Sequence, residues 1–358
     1  MIRADLSSIP TYVPGVRREG AVKISSNESA HPPLPGVAAA MAAAAAGANR
    51  YPDMGTQQLR TALGAHLDLD PDRIAVGCGS SALCQQLVQI TCTPGDEVIF
   101  AWRSFEAYPI FAQVVGARPV KVPLDAAGKH DLDAMAQAIT PRTRLIFVCN
   151  PNNPSGTTIT QAEFAQFMAR VPDNVLVALD EAYTEFHRNS DTPDARAATA
   201  DYPNLVGLRT FSKAYGLAGV RVGYAFGPAD VIAALNKVAI PFGVNAVGQA
   251  GAVASLEASA ELLQRTEEVV VQRARLAAAL RPYGALDSQA NFVWVPTPAE
   301  DPEFPARTAA ALADHNVLVR AFPEGLRITV TTEEETDAVL AAWEAAVGGT
   351  SISNPRAD

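Results

Sequence analysis

The sequence predicts an α/β protein: a mostly parallel central sheet sandwiched by helices, with a smaller α+β domain towards the C-terminus. Three observations carry this expectation. Short apolar runs between residues 74 and 226 alternate with segments of helical spacing, the pattern of βαβ units. The runs are nearly continuous rather than alternating, as strands buried on both faces require. After about residue 262 the pattern changes to one long charged helix followed by short strands.

Taken in order, residues 1–35 are rich in Pro, Gly and Ser and weak in periodicity; they read as an extended arm that joins the small domain. Ala38–Ala46 is helix-prone and too short to span a membrane. The apolar runs are Ile74–Val76, Glu97–Trp102, Pro119–Pro123, Leu145–Cys149, Val175–Leu179, Leu205–Leu208 and Val222–Phe226, and between them Ser81–Ile90 and Gln161–Arg170 have helical spacing. Residues 36–262 form the expected large domain. The small domain, 263–347, takes in most of an amphipathic helix over Glu261–Leu280 and strands at Phe292–Val295, Val317–Val319 and Leu326–Val330. Gly348–Asp358 is small and polar and reads as a disordered tail.

Composition narrows the function. The chain has 358 residues, 48% hydrophobic and 18% charged, which is globular. Its 28 basic and 38 acidic residues give a net charge of −10, which disfavours nucleic acid and anionic membranes as partners. MIRADLSSIP has no apolar stretch suited to a signal peptide. Cys78, Cys84, Cys92 and Cys149 form no CxxC pair, and the histidines show no ligand spacing, so neither a metal nor a disulfide framework is expected and a reducing cytoplasm fits.

Chemistry concentrates around Lys213, in the segment Thr210-Phe211-Ser212-Lys213-Ala214-Tyr215-Gly216-Leu217-Ala218-Gly219-Val220-Arg221. A lysine can form a Schiff base with an aldehyde, while hydroxyls and an arginine can hold a phosphate; pyridoxal phosphate offers both groups. In open α/β sheets ligands sit at the carboxyl ends of strands, and further candidates fall there. Asp180, with Tyr183 in the same turn, can pair with a protonated pyridine nitrogen or merely cap a helix. Asn150-Pro151-Asn152-Asn153-Pro154-Ser155-Gly156 presents an amide after a strand, or is a plain turn. Gly77-Cys78-Gly79-Ser80-Ser81-Ala82 places backbone N–H groups at a helix N-terminus, a phosphate cradle or a common glycine turn. Phe105 stacks on a ring or packs in the core. Arg327, a charge in a half-buried strand, needs a partner: a substrate carboxylate or phosphate, or an internal salt bridge.

Together these motifs resemble the fold-type I aminotransferases, and within them the histidinol-phosphate aminotransferase subfamily, over about Val22 to Val330. Tyr12-Val13-Pro14-Gly15, Cys84-Gln85-Gln86-Leu87-Val88-Gln89 and Trp102-Arg103-Ser104-Phe105 point to the actinobacterial aromatic (phenylalanine) aminotransferases. The resemblance implies the following roles. Lys213 holds the cofactor and shuttles a proton. Asp180 meets the ring nitrogen, while Asn153 and Tyr183 meet the ring oxygen. The backbone of Ser81 and Ala82, with Ser212 and Arg221, binds the phosphate. Phe105 stacks on the ring where many relatives have tyrosine. Tyr51 reaches the cofactor phosphate of a neighbouring subunit, implying a homodimer with shared sites. Asn27, Arg320 and Arg327 meet the substrate. The implied reaction moves an amino group between an aromatic amino acid and 2-oxoglutarate, with histidinol phosphate as the alternative donor. A decarboxylase or lyase on the same fold, and a ligand-sensing module without catalysis, are weaker readings. The latter normally follows a DNA-binding domain, and no helix-turn-helix pattern precedes the site here.

Overall fold

The computed structural model describes residues 1–347; the tail reading for 348–358 lies outside them. Its strands are β1 (Val22–Lys23), β2 (Ile74–Gly77), β3 (Glu97–Trp102), β4 (Arg118–Pro123), β5 (Thr143–Cys149), β6 (Leu176–Asp180), β7 (Leu205–Thr210), β8 (Gly223–Phe226), β9 (Phe292–Pro296), β10 (Val317–Leu318), β11 (Arg320–Phe322) and β12 (Gly325–Thr329).

The large sheet is seven-stranded, in the order β2-β8-β7-β6-β5-β3-β4. β4, β3, β5, β6 and β7 run parallel, and β8 is antiparallel to both β7 and β2. The predicted class is therefore the observed one. The two-residue period of a strand explains how the sheet serves two cores. In β3, Ile99 and Ala101 point into one core and Val98 and Phe100 into the other. The first core is closed by the helices Gln57–Leu67, Gln161–Met168 and Ala246–Glu257; the second by Ser80–Thr91, Tyr108–Val114 and Ala229–Val238. Residues such as Phe100, Phe147 and Phe164 have no solvent exposure, each contributing about 1.5–3 kcal/mol relative to an exposed side chain.

The C-terminal part has its own core, in which Val293, Val295, Leu326, Ile328 and Trp343 meet Leu276 and Leu280 of the helix Ser259–Leu280. Its antiparallel sheet runs β11-β12-β9. The N-terminal arm enters here: β1 pairs in parallel with β10, and Ile24 lies in this core. One element departs from the sequence reading. The chain changes partners at Val319, so β10 pairs with β1 while β11, a separate strand, pairs with β12.

The parallel strands β5, β6 and β7 end at one edge, at Cys149, Asp180 and Thr210. The loops leaving that edge carry Asn153, Tyr183 and Lys213. β12, from the three-stranded sheet, brings Arg327 to the same place.

Candidate active site

A cavity of about 450 Å³ opens at this edge, and Lys213, Asp180, Asn153, Tyr183, Ser81, Ser212, Arg221, Phe105, Asn27, Arg320 and Arg327 all line it. Residues scattered over three hundred positions thus meet in one space.

The phosphate end is built from a turn and a helix start. Gly79 caps the helix Ser80–Thr91 with φ +76°, where glycine carries no steric cost. An added Cβ would stand 2.3 Å from Arg221 Nη2. Arg221 Nη1 donates to Ser212 Oγ at 3.2 Å, and Nη2 to Ser81 Oγ at 3.4 Å. No carboxylate pairs with this guanidinium among the described residues. A cation, two hydroxyls and a helix N-terminus suit a dianion. Ser80 lines the cavity beside Ser81; Ala82 is not among the lining residues, and its N–H donates to the Gly79 carbonyl at 3.2 Å.

The ring position lies between two sets of polar groups. Asp180 Oδ2 accepts from Tyr108 Oη at 2.6 Å, and Oδ1 accepts from Ala182 N at 3.2 Å. Burial pushes the Asp180 carboxyl up, opposed by the Tyr108 and Ala182 hydrogen bonds and by Lys213. A cationic ring nitrogen beside it would offset that burial. On the other side Tyr183 Oη accepts from Asn27 Nδ2 at 3.0 Å, leaving its own O–H to donate. Burial raises the Tyr183 phenol, so it stays protonated. Asn153 Oδ1 accepts from Arg327 Nη1 at 2.6 Å, leaving the amide N–H groups as what it can offer. Phe105 lies edge-on to Tyr108, with centroids 5.3 Å apart.

Lys213 Nζ reaches the Ser26 carbonyl at 3.3 Å. Its pKa falls to about 7, first through burial and then through the cations Arg327, Arg221 and Lys23, with Glu28 opposing. A lysine so placed has a substantial neutral, nucleophilic fraction near pH 7, unlike an ordinary lysine.

The substrate end departs from the salt-bridge alternative for Arg327. Its Nη2 donates to the Ser25 carbonyl at 2.8 Å, its Nη1 to Asn153, and its Nε has no partner. All its acceptors are neutral. Arg320, in contrast, meets Glu106 at 3.1 Å and the Val13 carbonyl at 2.7 Å. Asn27, at φ 55°, is held by Thr329 through hydrogen bonds of 3.0 Å at its N–H and its Oδ1. Tyr51 is not among the cavity residues; it is 82% exposed and stacks on Phe242 at 4.5 Å.

Sequence reasoning missed Tyr108 and Glu106, and named Ser80 only as part of the turn over residues 77–82. Only Tyr108 carried a signal: it follows Phe105 at the start of a helix.

The family profile described as "Aminotransferase class I and II" matches residues 19–342. The chain belongs to the class I and II aminotransferases. It is 67% identical over 345 residues, covering 96% of this chain and 99% of the relative, to an aromatic amino acid aminotransferase of Corynebacterium diphtheriae. A second such relative, from Corynebacterium glutamicum (strain R), is 62% identical over 98% of this chain and all of its own length, 100%. Among solved structures, histidinol-phosphate aminotransferase from Sinorhizobium meliloti, in complex with pyridoxal-5'-phosphate, superposes with a TM-score of 0.86 at 29% identity, covering 92% of this chain and 91% of that one. This aminotransferase uses pyridoxal 5'-phosphate. The cavity fits that cofactor: Gly79 leaves the space a Cβ would fill beside Arg221, and a buried carboxylate and a near-neutral lysine face each other across the site.

Proposed function

We propose that this aminotransferase moves an amino group between an aromatic amino acid, phenylalanine or tyrosine, and an oxo acid such as 2-oxoglutarate. The observation that carries the reading is a cavity lined by the apolar side chains of Ile110 and Phe111 as well as by Arg327, a cation free of carboxylate partners. Arg327 would take the donor's α-carboxylate in a bidentate geometry, and the apolar wall its aromatic ring. The names of the corynebacterial relatives support the same choice.

Bound pyridoxal phosphate supplies an aldehyde that condenses with amines and a ring that takes up the electrons left when the α-proton departs. The protein's groups do the rest. Arg221, Ser212 and Ser81, with the N-terminus of the helix Ser80–Thr91, hold the phosphate. Asp180 keeps the ring nitrogen protonated; Tyr183 and Asn153 donate to the ring oxygen; Phe105 packs against the ring. Lys213 Nζ would anchor the cofactor at rest, take the donor's α-proton as general base and hold it on the amine for return. Asn27 and Arg327 orient the donor, and Arg320 stands at the same end. Tyr51, exposed here, would serve the partner subunit's phosphate in a homodimer with shared sites. A cytoplasmic location is part of this reading, in keeping with four unpaired cysteines; among the described residues no helix is long and apolar enough to cross a membrane.

The runner-up is histidinol phosphate as donor, supported by the Sinorhizobium meliloti likeness and by the fact that an arginine binds carboxylate and phosphate alike. A single-turnover panel with phenylalanine, tyrosine, aspartate and histidinol phosphate separates them. Phenylalanine or tyrosine should bleach the cofactor's visible band fastest per unit concentration. A clear lead for histidinol phosphate would replace the proposed donor.

A further inference from the structure

The substrate end holds two arginines in unlike states. Arg320 and Arg327 are directly paired across β11 and β12, so their side chains share one face of the sheet. Both guanidiniums lie on the Phe322 ring, with centroid distances of 5.5 Å and 5.6 Å, and both line the cavity. Side by side, two such cations would make a strong site for a dianion. Only one is free for that work. Arg327 contacts neutral acceptors, whereas Arg320 Nη2 sits 3.1 Å and 3.4 Å from the two carboxylate oxygens of Glu106. The pair is shielded, with side-chain exposures of 15% for Arg320 and 28% for Glu106.

Glu106 is itself held in place. It stands between Phe105 and Ala107, both of which line the cavity. Its carboxylate lies 3.9 Å from Arg103 Nη1, and Arg103 is bound by Glu324 through two hydrogen bonds of 2.9 Å and 3.0 Å. The Arg103 guanidinium also lies 5.0 Å from the centroid of Phe322. Two arginines and two glutamates therefore pair within the wall, and Arg327, though it feels the Glu106 charge, makes no ion pair with them.

We infer that Glu106 is a specificity residue: by occupying Arg320 it limits the substrate end to one available cation, so the site accepts a carboxylate and rejects a phosphate monoester in the same place. This is selection against a competitor by a carboxylate that occupies the second cation a dianion would need. The inference rests on the aromatic reading above and deepens it. Within it, Arg320 is a partner of Glu106 and not a direct substrate ligand.

The test uses the cofactor-loaded enzyme and two non-reacting probes, 3-phenylpropionate as the monoanion and 2-phenylethyl phosphate as the dianion, titrated calorimetrically. Glu106→Gln keeps the size and a hydrogen-bonding group but removes the charge. It should tighten 2-phenylethyl phosphate by on the order of tenfold relative to 3-phenylpropionate. The kcat/KM ratio of histidinol phosphate to phenylalanine should rise in the same direction. The double variant Glu106→Gln/Arg320→Gln should lose the gain, because the released cation is gone. Equal shifts for both probes, or a gain that persists in the double variant, would overturn the inference. A wild-type enzyme that already prefers the phosphate probe would instead count against the aromatic reading, so the two failures are distinguishable.

Discussion

At the scale of single residues, the site separates groups that must carry charge from groups that must not. Lys213 is the clearest case. Its pKa of about 7 lies below the ordinary 10.5 because the ammonium is buried beside Arg327 and Arg221. The folded state therefore binds its proton less tightly than the unfolded chain does. The resulting penalty on folding is full below pH 7, shrinks through the interval up to 10.5 and vanishes above it. In cofactor-free protein, Lys213→Met should thus raise stability by on the order of a few kcal/mol at pH 6 and by much less at pH 10. Urea denaturation at the two pH values checks this; an equal gain at both would deny the lowered pKa. For Asp180, held by Tyr108 and Ala182, replacement by Asn removes the charge that keeps a ring nitrogen protonated. Asp180→Asn should lower kcat by on the order of a hundredfold or more, with the cofactor's absorption no longer following the wild-type pH profile. Lys213, Asp180 and Arg221 were legible in the sequence because each sits in a local motif next to a strand end. The bonds from Asn27 to Tyr183 and from Arg327 to Asn153 were not, because they join residues 156 and 174 positions apart and depend on how distant segments meet in the fold.

At the scale of elements, the turn before the helix Ser80–Thr91 and the strand β12 position most of the site. The turn works because Gly79 takes a left-handed conformation and leaves room for Arg221. An L-residue there costs about 1–2 kcal/mol in backbone alone, before its Cβ displaces the guanidinium. Gly79→Ala should weaken cofactor binding by about tenfold or more, measured by fluorescence titration; unchanged affinity would remove Arg221 from the phosphate site. β12 supplies Arg327 to Asn153 and Thr329 to Asn27, so one strand of the three-stranded sheet orients groups of the loop after β5 and of the N-terminal segment. The strands of the large sheet were legible nearly to the residue, since buried parallel strands are unbroken apolar runs. β11 was not: it is three residues long, begins with an arginine, and is defined by its pairing with β12 rather than by composition.

At the scale of the whole molecule, the apolar surface that remains exposed is informative. Tyr51, Met54, Ile240 and Phe242 are exposed, and Tyr51 and Phe242 stack on each other. Apolar surface of this kind suits a protein partner, and the proposed homodimer supplies one that would bring Tyr51 to a second site. Ile240→Glu should shift the protein towards monomer in sedimentation velocity and weaken cofactor binding in parallel; a dimer of unchanged affinity would place the interface elsewhere. Of this surface the sequence marked only Tyr51, through the family resemblance, because exposure is a property of the fold. The central claim concerns the donor, and direct competition tests it most simply. With phenylalanine and histidinol phosphate at equal concentration and 2-oxoglutarate limiting, the ratio of the two oxo products equals the ratio of their kcat/KM values. The aromatic reading predicts that phenylpyruvate dominates; a product mixture dominated by the imidazole oxo phosphate would contradict it.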